Sequence, residues 1–370
     1  MATRFLVATL FFILPLTALA VSSAPPRVRS SGSPPLHDMT GQPVVTTLPA
    51  KRAVIFPRIL RNYLAIDQGP DHILAATPSY VREIQRTLLG KAYPNLSRIG
   101  SAVTLGDSVI PAGPEQLLLL KPDAVFTWSW FADGLAAAGL PVIELNVDFR
   151  DAEASDLAAW RLMAAVTEQN PRAVALLARA RQAEESLHPD LPPATAAKRP
   201  TVLYAFANGR DGLHALVGDH NLPSAIEHAG GTDAAASLLR GQLDLEQLLQ
   251  MNPDVIFLDW SSGSHRTPSE LYAEPALSSL SAVQHRRIYI LPQGGAGMDN
   301  VNERPLLERW MAELLYPKDM SRKFRQDFKD TYRDVYHYAV SDDALDAAIH
   351  LKENLASAGF DRFLRPATKP

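Results

Sequence analysis

The stretch EQLLLLKPDAVFTW, Glu115 to Trp128, decides how this chain is read, because it nearly recurs as EQLLQMNPDVIFLDW, Glu246 to Trp260. Each copy runs Glu-Gln-Leu-Leu, three further residues, Pro-Asp, and a short apolar segment ending at or beside a tryptophan. The offset is 131 residues (246 − 115), about one domain's length of chain. Pro114 and Glu115 suit a first helical turn, where proline loses no hydrogen bond and a carboxylate meets the positive end of the dipole. In the second copy Asp244 is placed to cap a helix, with Gln247 as its capping-box partner. Both helices are expected to stop before a proline, at Lys121 and Asn252, because the residue preceding proline is pushed out of the α region. The chain thus builds one helix–turn–strand unit twice, once in each half.

Around these units, short apolar runs alternate with helical patterns. The expected strands are Ala53–Phe56, His72–Ala75, Ala124–Trp128 and Val142–Leu145, then Thr201–Phe206, Val255–Asp259 and Ile288–Leu291. Their continuous apolar character, rather than strict alternation, predicts strands covered on both faces. That predicts an α/β fold: two similar lobes with mostly parallel sheets, joined by a single long rigid helix, with a ligand cleft between the lobes. The joining segment, DLAAWRLMAAVTEQNPRAVALLARARQAEESLHP, holds no strand candidate. Asn170-Pro171 is a good helix start and no breaker follows until Pro189, giving roughly 18 residues or about 27 Å of helix. Val174, Leu177 and Arg181 share one face by helical spacing, leaving Arg179, Gln182 and Glu185 for water. The expected boundaries are an N-terminal lobe over 37–168, a linker helix over 169–190, a C-terminal lobe over 199–340 and a helical tail over 341–370.

The N-terminus MATRFLVATLFFILPLTALA has Arg4, an apolar run from Phe5 to Leu16, and the small residues Ala18 and Ala20 around Leu19. This is the pattern of a signal peptide over residues 1–20, and the run is short for a membrane span. An uncleaved anchor is the alternative. Residues 21–36, rich in Ser, Pro and Arg, read as a flexible leader. The sequence contains no cysteine, which excludes disulfides and lipid attachment at that residue. With 46% hydrophobic and 21% charged residues the rest can bury sizeable cores. A net charge of −4, without a basic run, argues against nucleic acid. The sequence carries no G-x-S-x-G, H-E-x-x-H or P-loop pattern, so an exported enzyme on a similar scaffold is the weaker alternative.

Taken in order, DMTGQPVVTTLPAKRAVIF, YPNLSRIGS, EQLLLLKPDAVF, IEHAGGTDAAA, LEQLLQMNPDVIF and RPLLERWMAELLYP resemble the substrate-binding proteins of ABC importers for ferric siderophores, heme and cobalamin. The resemblance covers nearly all of the chain after the leader. It implies a periplasmic, monomeric carrier that captures an iron–siderophore type of chelate, with no covalent cofactor and no catalysis. The same resemblance leaves room for heme, a corrinoid, a bare metal or an oxyanion as ligand. It also implies that Glu115 and Glu246 dock onto arginines of a two-subunit ABC permease in the inner membrane. By residue type alone both also suit the first turn of a helix simply as dipole partners. Lipid-anchored members carry a cysteine after the signal, and its absence here points to a freely diffusing form without membrane insertion once the signal is cleaved.

Ligands of open α/β sheets bind beyond the carboxyl ends of the strands. The expected ligand-binding residues are therefore Arg58, Tyr80, Trp128 and Trp130 in the first lobe, and Tyr204, Arg210, Trp260 and Arg304 in the second. Rings pack on a large, partly apolar chelate, and guanidinium groups meet its carboxylate or catecholate oxygens. No protein metal site is expected, because His214, His220 and His228 lack an evident helical ligand pair. The glycine run at Gly294–Gly297 lacks the completed dinucleotide spacing.

Overall fold

The computed structural model describes residues 35–56, 59–99, 113–146, 152–193, 199–208, 212–215, 222–236, 243–259, 266–295 and 297–365. Both copies of the repeated unit fold alike. The first forms a helix, Pro114–Leu120, closed by Lys121 in the left-handed region, and the second forms Leu245–Met251, closed by Asn252 in the same conformation. The helices end before the prolines as expected, but through left-handed residues rather than extended ones. The Asp244–Gln247 capping box forms in full. The repeated Pro-Asp then does the same work in both halves. Asp123 accepts from the Lys51 N–H at 3.1 Å, and Asp254 accepts from the Thr201 N–H at 2.9 Å. Each aspartate ties the turn to the start of its lobe's leading strand, so the strand that follows is laid down parallel beside it.

The first sheet comprises β1 (Ala53–Ile55), β2 (Ile73–Ala76), β3 (Ala124–Trp128) and β4 (Val142–Leu145), all parallel, in the order β2-β1-β3-β4. The second comprises β5 (Thr201–Asn208), β6 (Gly212–Ala215), β7 (Thr232–Asp233), β8 (Val255–Asp259) and β9 (Ile288–Ile290). Its order is β6-β5-β8-β9, with β7 pairing the start of β5. Only β6 runs antiparallel. The seven strands expected from sequence are present within a residue or two. The short β6 and β7 were not expected, because neither carries an apolar run.

Side chains of the second sheet alternate between two cores. Val202, Tyr204, Val255, Phe257 and Tyr289 join the larger core. Leu203, Ala205, Ile256, Leu258, Ile288 and Ile290 join a smaller one on the opposite face. The larger core also takes in the first sheet and the joining helix, so the two lobes share one continuous apolar interior. Segment 341–365, read as a tail, is part of this body. Asn354 is fully buried and exchanges hydrogen bonds with both the N–H and C=O of Ile290, and Phe360 and Phe363 pack around Trp310.

The joining helix runs Asn170–Glu185. Its inward face is Ala173, Leu176 and Ala180, while Val174 is 66% exposed, which corrects the face expected from spacing. Small side chains allow close approach, and the flanking arginines are spent on the interior. Arg172 donates to the carbonyls of Ala65 and Val335, and Arg179 donates to Thr331 Oγ1. Every residue of the helix Arg304–Leu315 is buried, although four are charged. Each charge is paired, as burial requires. Arg309 meets Asp190, Glu313 meets Arg362, and Arg304 and Glu308 belong to the network described below.

Candidate functional site

The carboxyl ends of the two sheets meet at a seam. The Leu88 N–H of the first lobe donates to the Gly294 carbonyl of the second at 3.2 Å. Arg61, 4% exposed, crosses the same seam to Asp299 at 2.6 Å and to the Gly297 carbonyl at 2.7 Å. Gly295 permits this approach across the lobes, and Gly294 permits close packing within its own lobe. A Cβ on Gly294 would fall 2.4 Å from the Tyr332 hydroxyl, and one on Gly295 would fall 2.3 Å from Leu89 Cδ1. Gly295 thus serves lobe-to-lobe contact, a use that motif reading could not supply.

Polar groups from both lobes surround Arg61. Burial works against its charge, but Asp299, Tyr80 and Glu303 raise its affinity for the proton. Burial lifts the Glu83 carboxyl above its ordinary range, with Arg61 opposing and Asp259 and Asp299 adding to the rise. Burial also lifts Glu303, whose oxygens accept from the Tyr332 hydroxyl at 2.5 Å and from Asn300 at 2.7 Å. At the end of β8, Asp259 accepts a 2.5 Å hydrogen bond from the Tyr204 hydroxyl. Acidic and aromatic groups of both lobes therefore converge on one buried guanidinium.

A separate aromatic cluster of the first lobe stands at the carboxyl end of β3. Trp128 and Trp130 stack at 5.4 Å with 13° between their planes. Trp130 meets Phe131 edge-on at 6.0 Å, and Phe131 rests on Phe56 at 5.9 Å. Trp130 is 59% exposed, so one large ring is presented to solvent at the carboxyl end of β3. An exposed indole backed by a stacked partner is a surface suited to a flat or apolar ligand.

The expected contacts divide into three groups. Tyr80 is half-buried close to Arg61, Tyr204 is bonded to Asp259, and the two tryptophans stack in the aromatic cluster. Arg58, Arg210 and Trp260 lie outside the described residues. Arg304 is in neither position. Its guanidinium is buried and lies 3.0 Å from Glu153, 2.9 Å from Glu184 and 3.6 Å from Glu308, and Glu308 pairs in turn with His228 at 2.9 Å. Arg304 opens a helix whose whole circumference is buried, so it faces carboxylates of the joining helix and its neighbour rather than ligand. Sequence reading missed Arg61, Glu83, Asp259 and Asp299. A signal existed for two of them: Arg61 interrupts the apolar run ILRNYLAI, and Asp259 closes the run VIFLD just before Trp260. Glu115 and Glu246 are both exposed, each in the first turn of its helix.

Among the described residues, no group of three or more His, Asp or Glu side chains is arranged to hold a metal ion. No helix among them is long and apolar enough to cross a membrane.

A two-lobed α/β body with its polar and aromatic groups gathered at the interlobe seam defines a class of ligand-carrying proteins. The family model for periplasmic binding proteins matches residues 94–294, and the chain belongs to that family. The fold is similar to a periplasmic solute binding protein from Veillonella parvula (TM-score 0.74, 23% identity, covering 87% of this chain and 98% of that one). It is also similar to a molybdate periplasmic binding protein from Haemophilus influenzae (0.68, 21%, 84% and 99%). A third similar fold is a triscatecholate siderophore binding protein from Bacillus subtilis solved with ferri-bacillibactin (0.56, 16%, 78% and 100%). No curated protein matches the chain. By family the chain is thus a periplasmic binding protein, on a fold it shares with these solved binding proteins.

Proposed function

We propose that this protein captures a metal chelate of the ferric siderophore type in the periplasm and delivers it, as a monomer, to a two-fold ABC permease. The observation that carries this reading is the stacked Trp128–Trp130 pair at the carboxyl end of β3, its outer ring open to solvent, in a protein whose lobes also gather Arg61, Tyr80, Glu83 and Asp259 at their seam. A bare oxyanion offers nothing for an exposed indole to cover, whereas an organic chelate has rings and methylenes that bury its surface. The shared core and the crossing Arg61–Asp299 pair favour a preformed crevice, which lowers the ordering cost of binding.

The test is titration of the purified protein with a ferric tris-catecholate, heme, cobalamin and molybdate, following tryptophan fluorescence and ligand absorbance. Quenching that saturates with the ferric chelate and is lost in Trp130→Ala supports the reading. Binding of molybdate alone overturns it, and saturation by heme or cobalamin alone moves the ligand to a flat macrocycle. Sustained turnover of a siderophore, ester or peptide would replace the carrier reading with an enzyme.

For delivery, Glu115 and Glu246 are the proposed contacts with permease arginines, one from each copy of the repeated unit. A two-fold partner calls for two similar charges, and duplicated lobes supply them. Glu115→Ala and Glu246→Ala should lower uptake singly and further together, with stability and ligand affinity nearly unchanged. Normal uptake in the double variant would leave the two glutamates as dipole partners only.

A further inference from the structure

The two repeated helices are alike in charge but not in apolar surface. On the first, Glu115, Leu118 and Leu119 lie at i, i+3 and i+4 and so share one face. Leu118 is 42% exposed and Leu119 is 83% exposed, the highest value of any large apolar side chain among the described residues. On the second helix the equivalent positions are Leu249, half-buried, and Gln250, exposed and polar. Its exposed leucine is Leu245, at 45%, on the other side of the glutamate in sequence. Three of the eight large apolar side chains exposed among the described residues therefore sit on these two short helices. A single exposed leucine calls for no explanation. Two adjacent ones beside the same charge, on the helix that the chain has duplicated, do.

We propose that Leu118 and Leu119 form an apolar shoulder that seats against the permease subunit engaged by Glu115, so that the N-terminal lobe carries the larger share of docking energy. The inference rests on the docking reading of Glu115 and Glu246. The occupant follows from continuity with that contact: a surface that offers a cation to Glu115 and apolar atoms one helical turn further on. A charge at the rim chiefly steers approach and sets register, while buried leucines slow dissociation. Engagement of a symmetric permease is then unequal, tight at one lobe and mainly electrostatic at the other.

The test uses the full chain and its permease reconstituted in nanodiscs, with binding followed by interferometry at low and at raised salt. Leu119→Ser should weaken binding about tenfold, with most of the change in dissociation rate and little salt dependence. Leu118→Ser should do less, and Gln250→Ser and the distant surface change Val174→Ser should have no effect. Glu115→Gln should weaken binding mainly at low salt. If the glutamate variants weaken binding and the leucine variants do not, the shoulder is refuted and the docking reading stands. If none of them weakens binding, the docking reading falls and the shoulder with it. Leu119-dependent self-association in sedimentation, with permease binding unchanged, would assign the patch to a second copy of the chain and overturn the proposal.

Discussion

Gly295→Ala tests whether the lobe seam is as tight as its geometry requires. The new methyl carbon would sit 2.3 Å from Leu89 Cδ1 and 2.8 Å from Leu89 Cγ, whereas carbon atoms in contact rest at about 3.5–4.0 Å. Leu89 is fully buried and belongs to a helix, Leu88–Ala92, whose Leu88 is hydrogen-bonded across the seam to Gly294. It has no solvent to retreat into, so relief must come from parting the lobes or tilting that helix. Overpacking of this kind costs about 1–3 kcal/mol. The variant should show a lower denaturation midpoint, a wider crevice by small-angle scattering, and weaker ligand binding. Leu89→Ala alone should cost about 2–5 kcal/mol by leaving a cavity. Combined, the two changes should cost less than their sum, because the added methyl occupies the vacated space. Denaturant titration of the four proteins reads this directly. A neutral Gly295→Ala, or strict additivity in the double variant, would refute the argument.

Arg304→Met should lower stability by about 3–5 kcal/mol, because Glu153, Glu184 and Glu308 lose their common cation and Glu308 is left charged in the interior. A loss of ligand affinity at unchanged stability would instead return Arg304 to the crevice. His228 has its pKa raised first by its hydrogen bond to Glu308, with burial opposing. A raised folded-state value means stabilisation that is complete below the unfolded value of about 6.5 and is lost as pH rises through the folded one. The wild type should therefore lose thermal stability relative to His228→Gln as pH rises above about 6.5, and parallel melting profiles would count against the pair. Trp130→Ala should change stability by about half a kcal/mol or less, since the ring is mostly exposed, while chelate affinity falls, as judged by calorimetry beside melting.

Local chemistry in the sequence determined the repeated unit almost completely. Pro114, the Asp244–Gln247 box, the prolines after Lys121 and Asn252, and the apolar runs beyond them each act within a few residues. The helix starts, stops and parallel strands could therefore be read off directly, and the doubling of the unit implied two lobes. The duplicated Pro-Asp was visible too, although its bond to the head of the leading strand spans 72 residues in one lobe and 53 in the other and could not be seen. The joining helix shows where periodicity misleads. Its apolar residues suggested one face, but packing chose the alanines, because a helix squeezed into a shared core is limited by close approach rather than by hydrophobicity. The site was least legible. Arg61 and Asp299 are 238 residues apart (299 − 61), and nothing local in either says that they pair. Arg304 follows a glycine-rich loop and looks like a ligand contact, yet it is spent on three carboxylates, two brought from other helices and one a turn along its own. Only the tertiary structure decides which charges are consumed inside and which are left for a ligand, because a buried ion must find its counter-ion wherever the fold delivers one.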